Sequence, residues 1–445
     1  MKGFCCYLNR NLIVWIIIFF VSSSAGAERV RIVVEGAGYK AFPIAITALQ
    51  AGSGEQANAL AAQMTTVART GATLVRALEL VDPKTYLVPR ISLDKVPNLA
   101  PWHSVGASGL IGGRIDVAGG MVHAQMVLVD VVSGRILINR KYEGSVAQPS
   151  SVVYRFLDDV IESLTGVRGI FSSKIAYVKV IGSGKRAIFY SDIDGSHVER
   201  VTPTDQLSLL PAWSADGTSM LFTTFMQQNS DLARLTLRGG SLTWLSTKRG
   251  LNTGAAVSPD GKRIALTLSA DGNTEIYVMN WDGSDLKRLT QSWGQDVSPT
   301  WSHDGKRIAF VSSRSGNPHI YVMDADGGNQ RRLTFKGDYN QEPSWSPLPD
   351  GQIAFTGRDE KFKYDLFLVD PNSAAITRLT QNQGSNEGPS FSPDGNQIAF
   401  TSSRGLQAGR QVYVMDVDGK HPRRVTMAPG DYETPAWGPR LGYER

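Results

Sequence analysis

The sequence predicts an α/β (α+β) N-terminal domain followed by an all-β six-bladed β-propeller whose ring is closed by the C-terminal strand. Two observations carry that prediction. From Pro211 onward one phrase recurs as PAWSADG, AAVSPDG, PTWSHDG, PSWSPLPDG, PSFSPDG and PAWGP, anchored at Trp213, Val257, Trp301, Trp345, Phe391 and Trp437. The anchors lie 44, 44, 44, 46 and 46 residues apart, the period of a four-stranded propeller blade. Residues 28–165, by contrast, lack the phrase and mix helix-like with strand-like patterns.

The first 27 residues read as a secretory leader rather than as part of the fold. Lys2 and Arg10 precede the apolar run Leu12 to Val21, and Ala25-Gly26-Ala27 supplies small residues for cleavage before Glu28. The run is about half of what a spanning helix needs, so no integral membrane segment is expected after cleavage. Both cysteines, Cys5 and Cys6, fall in the leader, which leaves the exported part without disulfides or thiolate chemistry. The formal net charge is +5, and loss of Lys2 and Arg10 reduces it to +3. A mild charge of mixed sign argues for a soluble monomer and against nucleic-acid binding.

In the N-terminal domain, Arg29 to Val34 is read as a strand and Gly54 to Arg69 as a helix, with a strand at Leu74 to Val81. Gly109 to Asp116, Met121 to Asp130 and Arg135 to Tyr142 alternate in the strand manner, separated by Gly-containing turns. Ser151 to Leu164 spaces its apolar residues as an amphipathic helix. The expectation is a small antiparallel sheet with helices. Thr165 to Phe171 links it to the propeller, residues 171–445.

Each repeat reads as four short strands. In the one starting at Pro299, Trp301 belongs to strand one, Arg307 to Ser312 form strand two, His319 to Asp324 strand three and Arg331 to Thr334 strand four. The strand-two phrase occurs six times, from Ile175-Ala176-Tyr177 to Ile398-Ala399-Phe400. The first has no anchor phrase before it, and the last anchor, Trp437, has no strand two after it. The two orphans complete one blade, which closes the ring and removes its edges. At fixed repeat positions the anchor aromatics are expected to be inter-blade core.

Catalytic signals are weak. Gly182-Ser183-Gly184-Lys185 lacks the first glycine of a phosphate loop, and no G-x-S-x-G, C-x-x-C or H-E-x-x-H occurs. His197, His303, His319 and His421 scatter over turns and a strand start, and are expected to be surface imidazoles rather than metal ligands. The loops leading into the innermost strands are richer: Asn252-Thr253, Gln295-Asp296, Asn340-Gln341-Glu342, Ser385-Asn386-Glu387 and Asp431-Tyr432-Glu433. Ordinary turn chemistry accounts for such residues. A polar, acidic binding mouth around the channel accounts for them equally well, with Asn252, Asp296, Asn340, Glu342, Asn386, Glu387, Asp431, Tyr432 and Glu433 as its contacts.

The order of leader, Arg31 to Val34, α/β domain, junction Leu164-Thr165-Gly166-Val167-Arg168-Gly169 and Lys174-Ile175-Ala176-Tyr177-Val178 opening six blades resembles the TolB family of the periplasmic Tol-Pal envelope system. Val257 and Phe391 depart from the usual Trp, and Leu348-Pro349 is inserted before Asp350-Gly351. The resemblance implies a non-catalytic periplasmic scaffold without cofactors. It implies binding of the lipoprotein Pal at the propeller mouth and of TolA through Glu28, Arg29, Val30, Arg31, Ile32, Val33, Val34 and Glu35, in support of outer-membrane integrity and cell division. A propeller enzyme, such as a polysaccharide lyase or a peptidase-like protein, and a glycan or small-molecule sensor stand as the alternatives.

Overall fold

The computed structural model describes residues 41–91, 93, 97–225, 229–358, 360–405 and 409–441. The leader, the cleavage position and residues 28–35 lie outside the described residues. The N-terminal region comprises β1 (Phe42–Ile46), β2 (Gln50–Ala51), α1 (Glu55–Ala72), β3 (Leu78–Leu80), α2 (Ala100–Ser104), β4 (Gly109–Ala118), β5 (Met121–Asp130), β6 (Ile136–Ser145) and α3 (Ser150–Thr165). In α1, Ala57, Leu60, Ala61, Met64 and Ala68 recur at helical spacing and are buried. In α3, Val153, Phe156, Leu157, Val160, Ile161 and Leu164 do the same, and Gly166 ends the helix at φ 81°, donating its N–H to Glu162.

The sheet corrects one expectation: it is mixed, not antiparallel. Its order is β3-β1-β4-β5-β6, with β2 also pairing with β4. β1 lies between β3 and β4 and runs parallel to both. The short FPIAI segment is interrupted by Pro43, which hides its strand character in the sequence. Once β1 enters the sheet, α1 serves as the crossover that a parallel neighbour requires.

Six four-stranded antiparallel sheets follow, and the one that closes the ring has the order Asp431–Trp437, Lys174–Gly182, Lys185–Asp192, Glu199–Arg200. The C-terminal strand pairs with the strand-two phrase of blade one in the register Glu433↔Val178, Ala436↔Ala176 and Trp437↔Ile175. The innermost strands of blades two to six are Ser208–Trp213, Asn252–Val257, Asp296–Trp301, Asn340–Trp345 and Asn386–Phe391. The anchors are inter-blade core, as expected. The indole of Trp213 donates to Ala436 O of the preceding blade at 3.0 Å, and that of Trp301 to Ala256 O at 3.0 Å. Gly182-Ser183-Gly184-Lys185 is the hairpin between strands two and three of blade one.

Because the strands run up and down, the two-to-three and four-to-one loops of every blade share one face, and the remaining turns share the other. The N-terminal region packs on the turn face, across blades six and one. Tyr154 donates to Asp194 at 2.6 Å, and Gln397 Nε2 to Leu74 O at 2.7 Å. Arg76 lies 3.6 Å from Asp418. One continuous apolar cluster runs from α1 and α3 through Phe171 to Ile193, Val412 and Val425.

Asp158 sits at this junction, wholly buried, accepting from Phe171 N at 2.7 Å and Ser172 N at 3.0 Å. Burial pushes its carboxyl up to about 6, against the opposing pull of those hydrogen bonds. Between about pH 4 and pH 6 the folded chain therefore keeps a proton that the unfolded chain has lost. This group's contribution to stability falls as pH rises through that window. Asp158→Asn is expected to remove that slope, so the stability difference between the unaltered chain and the variant should depend on pH from 4 to 6 and level off above 6. Urea unfolding at several pH values checks it; a difference independent of pH rejects it.

Candidate functional site

The mouth on the loop face is built by a bulge repeated in every innermost strand. Register shifts between Leu209 and Ala212, Thr253 and Ala256, Val297 and Thr300, Gln341 and Ser344, Glu387 and Ser390, and Glu433 and Ala436. In each bulge one residue is left-handed: Leu210, Gly254, Ser298, Glu342, Gly388 and Thr434, with φ between 44° and 63°.

This geometry corrects the picture of a ring of polar loop side chains. Asn252, Asp296, Asn340, Asn386 and Tyr432 occupy equivalent positions at the top of the innermost strands, and all five are buried. The three asparagines clasp the preceding blade, while Asp296 and Tyr432 are held within their own. Asn252 Nδ2 donates to Ser230 O at 2.7 Å and to Lys248 O at 2.6 Å. Asn340 Nδ2 donates to Lys336 O at 3.0 Å, and Asn386 Nδ2 to Asp365 Oδ1 at 3.2 Å. Asp296 is held by Arg314 Nη2 at 2.6 Å, and Tyr432 packs edge-on against Tyr177. The recurrence of asparagine in the sequence reflects this inter-blade clasp.

His319 is corrected with them: it is buried, not a surface imidazole, and touches the clasp. Arg332 donates to its Nε2 at 2.7 Å, and its Nδ1 lies 3.0 Å from Asn340 Nδ2. Burial, and then the Arg332 guanidinium, push its pKa down to about 4. Another imidazole, His197, lies 3.5 Å from Ser150 Oγ and 2.8 Å from Asp192 Oδ2, but both contacts fall on Nδ1. A serine relay needs the two partners on different ring nitrogens. Among the described residues no cluster of three or more His, Cys or carboxylate side chains could hold a metal.

Four carboxylates of the expected set do gather, on an arc from blade five through six to one. Asp431 and Glu433 are already paired: Arg410 bonds both, and Arg186 Nε lies 3.2 Å from Glu433. Bonds from Arg410 hold the Asp431 carboxyl below its ordinary range. Glu342 and Glu387 form no ion pair among the described residues. Glu342 accepts from Thr356 Oγ1 at 2.8 Å and from Gly388 N at 2.9 Å, and its burial pushes its carboxyl up. Glu387 is pushed up by its own burial and then by the Glu342 carboxylate. On blades two to four the positions matching Glu387 and Glu433 carry Leu209, Thr253 and Val297, and those matching Glu342 carry Leu210, Gly254 and Ser298, so these positions are acidic on one side of the mouth only.

Sequence reasoning missed the apolar rim of this face. Trp293, 77% exposed, Phe335, Phe362, 73% exposed, and Met427 stand on its loops, with the less exposed Phe225 and Leu251. The turn face of the propeller exposes only Val198, Leu242 and Leu286 among its large apolar side chains within the described residues. The channel end on that face is a neutral cavity of about 490 Å³, lined by Pro211, Pro299, Pro343, Pro389 and Pro435 and by every anchor residue but Trp301.

Comparison with known proteins agrees with this architecture. A family model described as the TolB amino-terminal domain matches residues 30–137, and one described as the TolB beta propeller domain matches 161–363 and 348–442. The chain is 35% identical over 258 residues to the Tol-Pal system protein TolB of Desulfosudis oleivorans, covering 55% of this chain and 56% of the relative. It is 38% identical over 210 residues to the protein of the same name from Anaeromyxobacter dehalogenans, covering 47% and 48%. The chain thus spans about half the length of the curated relatives it matches. The crystal structure of TolB from Acinetobacter baumannii superimposes with a TM-score of 0.78 at 25% identity, covering 90% of this chain and 97% of that one. With both domain models matched in order and the propeller match alone spanning more than half of the sequence, the chain belongs to the TolB family.

Proposed function

We propose that this chain is a non-catalytic periplasmic scaffold of the Tol-Pal system, composed of an α/β domain over residues 28–165 and a propeller over 171–445. In this reading it binds the lipoprotein Pal on the loop face and TolA through residues 28–35, and so supports outer-membrane integrity and cell division. The observation that carries it is the asymmetry of the propeller: exposed Trp293, Phe335, Phe362 and Met427 surround an acidic mouth on the face opposite the described part of the N-terminal region. Large exposed aromatics beside charged groups mark protein-binding surfaces. The contacts proposed for Pal are Glu342, Glu387, Asp431 and Glu433 with that rim, while the buried clasp residues hold the loops in shape. The names of the relatives support the system; the leader supports export, and the mild charge a soluble monomer.

Pull-down from a periplasmic extract with the mature chain is expected to retain Pal and TolA. A chain starting at Tyr39 should fold, keep Pal and lose TolA, because short terminal segments are commonly dispensable for folding and residues 28–35 are the proposed TolA contact. Normal retention of TolA by the shortened chain would reject the N-terminal assignment, and failure to retain Pal would reject the loop-face assignment.

A further inference from the structure

Blade two breaks a polar pattern that blades three to six keep. In blades three to six a polar residue at the start of strand three is bonded by an arginine thirteen positions later in strand four: Glu275 by Arg288 at 2.9 Å, His319 by Arg332 at 2.7 Å, Asp365 by Arg378, and Gln411 by Arg424 at 2.9 Å. In blade two the first residue of strand three is Asp231, and thirteen positions later stands Trp244. The acid is kept and its cation is gone. Blades four and six bring a second arginine to the same row, Arg314 on Ser312 Oγ at 2.8 Å and Arg404 on Ser402 Oγ at 2.9 Å. The counterpart of those serines in blade two is Thr224, and two positions beyond it the sequence has Met226.

The consequence is a buried row of unbonded oxygens. Ser208 faces Thr224, and Thr224 faces Asp231, across the ladders of blade two. Residues directly opposite one another project to the same side of a sheet. Asp231 is 1% exposed, and Ser208 and Thr224 are fully covered. Asp231 Oδ1 accepts from Asn229 at 2.8 Å, but among the described residues Oδ2 has no partner, nor do Ser208 Oγ and Thr224 Oγ1. Among the described residues Asp231 forms no ion pair. A carboxylate so buried without a counter-charge is strongly unfavourable.

We propose that the Ser208–Thr224–Asp231 row is a binding site for a small monovalent cation of the alkali class. One carboxylate balances one charge, and carboxylate and hydroxyl oxygens are the ligands hard cations prefer. The ion takes the place that arginine fills in the neighbouring blades. It thereby fixes the top of blade two, between the loops that carry Phe225 and Leu251. A buried water is the competing occupant, and it would show no dependence on the identity of the cation.

The test is thermal unfolding of the mature chain at one pH in about 0.3 M NaCl, KCl or N-methylglucamine chloride. Binding to the folded state alone should raise Tm in one of the alkali salts by about 3 °C or more over the bulky cation. Asp231→Asn, which removes the charge, and Trp244→Arg, which restores the arginine in cis, should each abolish that difference. Equal Tm in all three salts, or a difference that survives both substitutions, overturns the proposal. If neither variant folds, ²³Na relaxation of the unaltered chain decides. Saturable broadening reversed by KCl supports the site, and no broadening in a chain whose Tm responds to neither salt overturns it.

Discussion

Removal of residues 430–445 is expected to abolish cooperative unfolding of the propeller, or to lower its Tm by more than about 15 °C. The C-terminal strand is the innermost strand of blade one, so its loss opens two edges in a fold that otherwise has no long ones. The ladder to Lys174–Gly182 goes with it. Cross-blade bonds on both sides go as well. Trp437 N donates to Ser390 at 2.9 Å, Trp437 Nε1 to Ser173 at 2.8 Å, and Trp213 Nε1 to Ala436 O at 3.0 Å. Arg186 and Arg410 lose their carboxylates, and Arg440 no longer reaches Gly169 O and Arg168 O in the linker. Calorimetry of the truncated chain is the measurement; a single sharp transition within a few degrees of the intact chain would reject ring closure as the source of stability.

Glu387→Lys is expected to weaken Pal binding by about 2 kcal/mol, roughly 30-fold, with little change in Tm. Its carboxylate makes no hydrogen bond among the described residues, so the substitution breaks no bond of the fold. Glu342→Lys should behave differently. Glu342 bonds Thr356 and Gly388 across two blades from a mostly buried position, and a buried lysine there should lower stability by about 3 kcal/mol or more. Changes on the turn face, at Asp260, Asp304 and Asp394, should leave Pal binding alone. Isothermal titration paired with thermal unfolding separates the effects. Loss of Pal binding in the turn-face variants but not in Glu387→Lys would put the partner on the wrong face.

Ring closure was legible because a propeller leaves two unmatched fragments at the ends of the chain, and Ile175-Ala176-Tyr177 and Trp437 are unmatched in complementary ways. The clasp was not legible. Asn and Asp at matched repeat positions describe a buried inter-blade bond and an exposed binding ring equally well, because both need short side chains with donors and acceptors near a turn. Only burial separates Asn252 and Asn386 from Glu387. β1 escaped because Pro43 and Ala45 dilute its alternation. The apolar rim left a fainter sign: a Trp or Phe set among polar loop residues, as in QSWGQD, TFKGDYN and EKFKYD. No period marks such residues, since each belongs to the face and not to the repeat.

The left-handed bulge residue separates two kinds of constraint that usually travel together. Its backbone shape recurs in all six blades, yet the side chains there are Leu210, Gly254, Ser298, Glu342, Gly388 and Thr434. Glycine, the residue best suited to that conformation, holds it only twice. The ring imposes the conformation whatever the side chain, although a side chain there can still tie neighbouring blades together, as Glu342 does through Thr356 and Gly388. The mouth is therefore a six-position register on which one molecule can write leucine on one side and glutamate on the other. A lineage can change partners there by substitution alone, with no insertion or shift of strands.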